Sequence, residues 1–247
     1  MTKRIGCAEV WGGIENADQD LETGAISASL FSQSAEGGKG GDIYFLSVCG
    51  GDSLTRVAVA DVMGHGEQVS KISDWVFTSL KHHLNNPSGE EILGNLNNTV
   101  ETKGFQAMTT AALAGIIRQQ GRLFFTYAGH PPIMVYRERQ RAWTAARLAQ
   151  EKTGANMPLG VVSNACYDQE TIELDPGDKL FIYTDGILEA PDPHGDFFGQ
   201  ERLLDVLSNH GRERPAKLKT AVRQALENHC NGAITHDDVT IMAIQVH

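Results

Sequence analysis

The sequence predicts an α+β layered sandwich, with mainly antiparallel sheets and helices packed in pairs on their outer faces. Three observations carry this. Short apolar runs of strand length are joined by tight turns, the connection that antiparallel neighbours allow. Pairs of amphipathic segments at helical spacing separate those runs, one pair before residue 104 and one after residue 199. A chain of 247 residues, 41% apolar and 21% charged, can bury a sizeable core as one large domain.

The elements follow in order. Residues 43–48 (IYFLSV) and 54–60 (LTRVAVA) read as strands joined by the turn Cys49-Gly50-Gly51-Asp52-Ser53. After Asp61 a glycine-bearing turn leads into a helix at about 66–84, whose buried face carries Val69, Ile72, Val76, Leu80 and Leu84. Ser88, with Glu91 three residues on, matches a capping box for a second helix, buried through Ile92, Leu93, Leu96 and Val100 and ended by Gly104. Strands are expected at 107–118, 122–128 and 133–137. The segment Ala128-Gly129-His130-Pro131-Pro132 separates the last two, because proline removes a ladder donor. A strand near 169–174 is expected to meet one at 179–184 through the turn Asp175-Pro176-Gly177-Asp178. Helices at about 199–210 and 215–229 follow; Pro215 suits the first turn of the second, which buries Leu218, Val222 and Leu226. Val239–Val246 closes the chain as a strand. Residues 1–36 receive no element and are read as an N-terminal extension of a single domain spanning 1–247.

Composition excludes several classes. A formal charge of −10 argues against nucleic acid as a partner, since that needs a basic face. The local cations Arg212, Arg214, Lys217 and Lys219 read as a solvated helix face. No run approaches the ~18 apolar residues of a membrane span. The start MTKRIGCAEVWGG has no apolar run behind its basic residues, so no signal peptide and no membrane partner are expected, and the cytoplasm is the expected compartment. Cys7, Cys49, Cys166 and Cys230 form no CxxC pair, which argues against a zinc site. The turn Gly64-His65-Gly66 lacks the third glycine of a dinucleotide fingerprint, because that position holds Val69. The histidines other than His65 read as surface or capping residues.

Four acidic sites stand at the ends of expected strands: Asp42 in GKGGDIYF, Asp61 in VAVADVMGHG, Asp185 in FIYTDGILEA and Asp237-Asp238 in THDDVTIMAI. A carboxylate at a strand end is held rigidly, and neighbouring glycine lets backbone, water or phosphate approach. Gathered carboxylates repel one another unless cations sit among them, and oxygen ligands suit Mg2+ and Mn2+. Each site alone has a plainer reading: a helix cap at Asp61, a turn at Asp185-Gly186, a charged strand edge at Asp237-Asp238. The case rests on four of them in this order.

That order resembles the metal-dependent protein phosphatases, specifically their SpoIIE/RsbU-like branch. The branch carries GGD, DVxGHG, PLG, YTDGxxEA and DDxT. This chain reads Gly40-Gly41-Asp42, Asp61-Val62-Met63-Gly64-His65-Gly66, Pro158-Leu159-Gly160, Tyr183-Thr184-Asp185-Gly186-Ile187-Leu188-Glu189-Ala190 and Asp237-Asp238-Val239-Thr240. The match runs from about residue 37 to 246.

The resemblance implies a four-layer α-β-β-α sandwich with two Mn2+ or Mg2+ ions at one end. By motif position Asp61 would bridge both ions, the Val62 carbonyl would bind one, Asp185 and Asp237 the other, and Asp42 one of them directly or through water. Asp238 would support from behind. The implied reaction is hydrolysis of phosphoserine or phosphothreonine by a metal-activated water, with His65 protonating the leaving oxygen. The implied substrate is a phosphorylated STAS-type anti-anti-sigma protein in a partner-switching pathway. Regulation by a separate protein and homodimerisation through a helix pair both stay open. Phe45 stands where the branch often has a second acid (GGDxxD), the one sequence feature favouring a catalytically silent binding domain. No phosphate-gripping arginine is evident near the N-terminus, and Lys39 is the substitute on offer.

Overall fold

The computed structural model describes residues 2–64, 66–83, 86, 88–149 and 156–247. Its strands are β1 (Lys3–Arg4), β2 (Val10–Glu15), β3 (Ala17–Glu22), β4 (Ile26–Gln33), β5 (Lys39–Cys49), β6 (Leu54–Val62), β7 (Thr109–Ile117), β8 (Arg122–Ala128), β9 (Met134–Arg137), β10 (Ala142–Ala145), β11 (Gln169–Glu173), β12 (Lys179–Tyr183) and β13 (Val239–Val246). The helices are α1 (Glu67–His83), α2 (Gly89–Glu101), α3 (Gly199–His210) and α4 (Pro215–His229).

Two sheets form among the described residues, one ordered β1-β3-β4-β13-β12-β9-β10 and the other β11-β8-β7-β6-β5-β2. Every named pairing is antiparallel except β1 with β3. Side-chain alternation then sorts the core into three seams. Leu30, Leu46, Val59, Ile182 and Met242 fill the space between the sheets. Ile43, Phe45, Val76, Leu80, Ile92 and Leu96 join the second sheet to α1 and α2. Phe181, Leu203, Leu218, Val222 and Leu226 join the first sheet to α3 and α4. The result is the four-layer α-β-β-α sandwich expected.

Several local expectations are corrected. Residues 1–36 are no extension: they supply β2 to one sheet and β3 and β4 to the other. The runs at 169–174 and 179–184 do not pair. β11 adds to β8, β12 lies between β9 and β13, and the Asp175–Asp178 turn is a corner between sheets. The Ala128–Pro132 segment is another such corner, joining β8 to β9. Ser88 does cap α2, accepting from the Glu91 amide at 3.3 Å, but the Glu91 carboxylate bonds the Asn86 amide group instead of completing the box. Lys219 is buried, bonded to Asp18 and to the Leu30 carbonyl at 3.4 Å, so that part of the basic run is no solvated face. Leu84, expected on the buried face of α1, lies outside the described residues.

Under α2 the outer face of the second sheet carries small side chains, Ala58 and Gly115, and the helix begins at Gly89. A cavity of about 280 Å3 remains there, lined also by Phe45, Ile92 and Thr126.

Candidate metal centre

The site grows from one register. Asp42 on β5 lies directly opposite Asp61 on β6, so both carboxylates leave the same face at the same end of the sheet. Like charges placed so destabilise an antiparallel pair. Asp42 shares its side of β5 with Tyr44 and Leu46, the residues that pack toward the other sheet. That sheet delivers the remaining acids at its own ends: Asp185 opens a short 3-10 turn just beyond β12, and Asp237-Asp238 immediately precede β13.

Two hydroxyls tie the halves together. Thr184 Oγ1 donates to Asp42 Oδ2 at 2.8 Å across the gap between sheets, and the Thr240 amide donates to Thr184 Oγ1 at 2.9 Å. Ser32 and Thr240 share a further hydroxyl bond of 2.9 Å. The second oxygen of Asp42, Oδ1, is buried and has no hydrogen-bond partner, although the residue is only 3% exposed. Asp238 is buried too, but satisfied: it accepts from the Ala35 amide at 2.8 Å and from the Gly41 amide. Its own amide donates to Asp237 Oδ1 at 2.8 Å. Asp61, Asp185 and Asp237 are half-buried above this pair.

The glycines are there for close approach. A Cβ on Gly41 would lie 2.8 Å from the Val62 carbonyl and 3.0 Å from that of Gly64, and one on Gly186 would collide with the Asp238 carbonyl. The Val62 carbonyl therefore reaches the segment that carries Asp42.

Electrostatics mark the same spot. Burial first, then the charges of Asp238 and Asp185, push the Asp42 carboxyl well above its usual range, against the opposing hydrogen bonds from Thr240 and Thr184. Burial followed by Asp42, Asp185, Asp237 and Asp238 does the same to Asp61. Asp237 is raised by burial and then by Asp238 and Asp185. Among the described residues no three acidic, histidine or cysteine side chains already stand in an arrangement that encloses an ion. The donor set nevertheless fits a hard cation: oxygens only, an unpartnered buried carboxylate oxygen, and mutual repulsion that a divalent charge relieves.

Of the residues singled out in the sequence, Asp42, Val62, Asp61, Asp185, Asp237 and Asp238 are brought to this one end. His65 lies outside the described residues. Lys39 turns away, paired with Glu15 at 3.8 Å and Asp74 at 3.9 Å. Phe45 is fully buried three residues further along β5, on the opposite face from Asp42, packed against α1 and α2. Its substitution for an acid takes nothing from the cluster. Sequence reasoning missed the positioning threonines Thr184 and Thr240, whose only signal was their place inside TDG and DDVT. It also misread His130, which is buried rather than at the surface, its imidazole pushed down to about 4 by burial.

A two-sheet sandwich with acids gathered at one end of its seam is the architecture of the metal-dependent phosphatase class. The SpoIIE family profile (Stage II sporulation protein E) matches residues 51–247, and the chain belongs to that family. Among curated relatives it is 28% identical over 142 residues to protein IcfG of Synechocystis, covering 57% of this chain and 21% of that protein. It is 22% identical over 232 residues to the phosphoserine phosphatase RsbU of Bacillus subtilis, covering 92% of this chain and 64% of RsbU. The chain thus spans less than two thirds of either relative. The fold is shared with the RsbU and RsbW domains of Rv1364c from Mycobacterium tuberculosis, with TM-score 0.76, 20% identity, and 95% and 62% of the two chains covered. RsbX in complex with magnesium superposes with TM-score 0.67 at 18% identity, covering 94% of this chain and all of RsbX. No helix is long and apolar enough to cross a membrane among the described residues.

Proposed function

We propose that this chain is a metal-dependent phosphoprotein phosphatase acting on phosphoserine or phosphothreonine. The observation that carries the reading is the convergence of five aspartates from four chain segments on one end of the seam, with Asp42 Oδ1 left unpartnered. Asp61, Asp185, Asp237 and the Val62 carbonyl would hold two Mn2+ or Mg2+ ions, with Asp42 beneath them. Bound there, such ions lower the pKa of water and neutralise charge on phosphoryl oxygens.

The chain's own residues hold that arrangement. Thr184 fixes one oxygen of Asp42 and leaves the other without a donor. Asp238 anchors the backbone at Ala35 and Gly41, which sets where Asp42 begins its strand. His65, four residues after Asp61 in the sequence, is our candidate for protonating the leaving seryl oxygen. The whole of 1–247 is read as one catalytic unit.

A phosphorylated STAS-type regulator is the proposed substrate, supported by the resemblance to RsbU-like enzymes. The silent-domain alternative loses its footing with Phe45, which faces away from the acids. The decisive experiment is Mn2+-dependent hydrolysis of p-nitrophenyl phosphate and of a phosphoserine peptide, alongside calorimetric Mn2+ titration. No turnover and no tight Mn2+ binding would overturn the proposal.

A further inference from the structure

Beside Asp185 lies a groove of about 650 Å3, a size typical of ligand pockets. Its walls include Gly129, His130, Pro131, Arg147, Tyr183 and Leu188. Tyr183 and Leu188 flank the Asp185 turn in the chain, so groove and acidic cluster adjoin.

The walls are pinned from three directions. Tyr127 Oη donates to the Ala146 carbonyl at 2.8 Å and accepts from the Ile133 amide at 2.9 Å. The Gly129 amide donates to the Asn156 carbonyl at 2.7 Å. A site held this way meets its ligand with little ordering cost.

His130 defines what that ligand must offer. Its Nδ1 lies 2.9 Å from the Pro131 carbonyl, and a carbonyl only accepts, so Nδ1 carries the proton and donates. In the neutral ring Nε2 is then a lone-pair acceptor. It is buried, in a residue 7% exposed, and has no partner. A buried acceptor left unpaired costs free energy until a donor arrives. The monoester dianion of a phosphoserine brings acceptors only and cannot satisfy it. A peptide brings an N–H at nearly every residue.

We propose that this groove binds the polypeptide flanking the phosphoserine, with His130 Nε2 accepting a substrate backbone N–H. The proposal rests on the phosphatase reading and supplies its specificity: the acidic cluster takes the phosphoryl group and the groove takes the chain. Arg147, exposed at the rim, is the only guanidinium or ammonium in the lining among the described residues, so an acidic flank is favoured over a basic one.

The test compares an acidic-flanked phosphoserine heptapeptide with p-nitrophenyl phosphate under Mn2+. In His130→Ala the ratio of kcat/KM for peptide over aryl phosphate should fall about tenfold, through the peptide KM. An equal loss on both substrates, or an unchanged ratio, overturns the proposal. Arg147→Glu, at an exposed position, should lower the same ratio and guards against a misfolded His130 variant. Independently of turnover, the dephosphorylated peptide added to wild-type protein should shift the His130 Nε2 nitrogen resonance upfield, while sulfate, an oxyanion with no proton to donate, should not. A resonance unmoved by peptide, or moved equally by sulfate, sinks the groove assignment. Absence of turnover on either substrate would instead sink the phosphatase reading.

Discussion

The two ends of β12 each lie beside a buried aspartate, and the two are handled in opposite ways. At one end Asp178, 1% exposed, accepts from Arg137 at 2.9 Å, from the Glu138 amide at 2.9 Å and from the Asp175 amide at 3.1 Å. Every donor is local to the corner it braces. At the other end Asp42, 3% exposed, meets only threonine hydroxyls at one oxygen, keeps Oδ1 without a partner and is surrounded by carboxylates. Equal burial therefore says nothing about role; the company does. A structural aspartate is enclosed by donors, whereas one meant for a cation is kept short of them.

The largest effect should come from the acids themselves. Asp61→Asn is expected to lower kcat/KM by on the order of 10³ and to abolish tight Mn2+ binding in calorimetry. Asp178→Ala should leave Mn2+ affinity alone yet cost about 2–3 kcal/mol in urea unfolding, because Arg137 and two amides lose their acceptor. A matching loss of metal affinity there would break the division between the two ends. Thr184→Val should weaken Mn2+ binding about tenfold with little change in fold, as expected when a residue that orients a ligand is removed.

The smallest effect is a pH slope. Asp42 and Asp61 titrate higher folded than unfolded, so the metal-free folded state holds extra protons above about pH 4. Their contribution to stability must fall as pH rises from there through the raised values. His130 runs the other way: with a folded value of about 4 against 6.5 unfolded, its contribution is complete above 6.5 and lost toward pH 4. Denaturation in chelator across this range should show Asp42→Asn reducing the falling component, and exchanging the chelator for Mn2+ should do the same in the wild type.

Much of this was legible in the sequence, for identifiable reasons. Strands 43–48 and 54–60 announced themselves through apolar runs, and the acids through their place at strand ends. The N-terminal strands did not. β3 reads ADQDLE and lies near the sheet edge with its polar residues part-exposed, whereas β4, ISASLFSQ, is an inner strand buried on both faces whose serines and alanines hide any alternation. Which sheet a strand joins was also hidden: Asp175-Pro176-Gly177-Asp178 has hairpin chemistry, and only packing turns it into a corner. Thr184 and Thr240 look like ordinary strand formers until the sheets are stacked. His130 lies in a segment tied to Ala146 through Tyr127 and to Asn156 through Gly129, partners that no local pattern connects to it.

The cavity beneath α2 makes the two helical layers unequal under compression. Hydrostatic pressure favours states that let water into loosely packed space, and the ~280 Å3 beside Ala58, Gly115 and Gly89 is a partly open pocket where α2 is incompletely packed on its sheet. The α1–α2 layer should loosen at lower pressure than the α3–α4 layer, with amide signals of α2 broadening first.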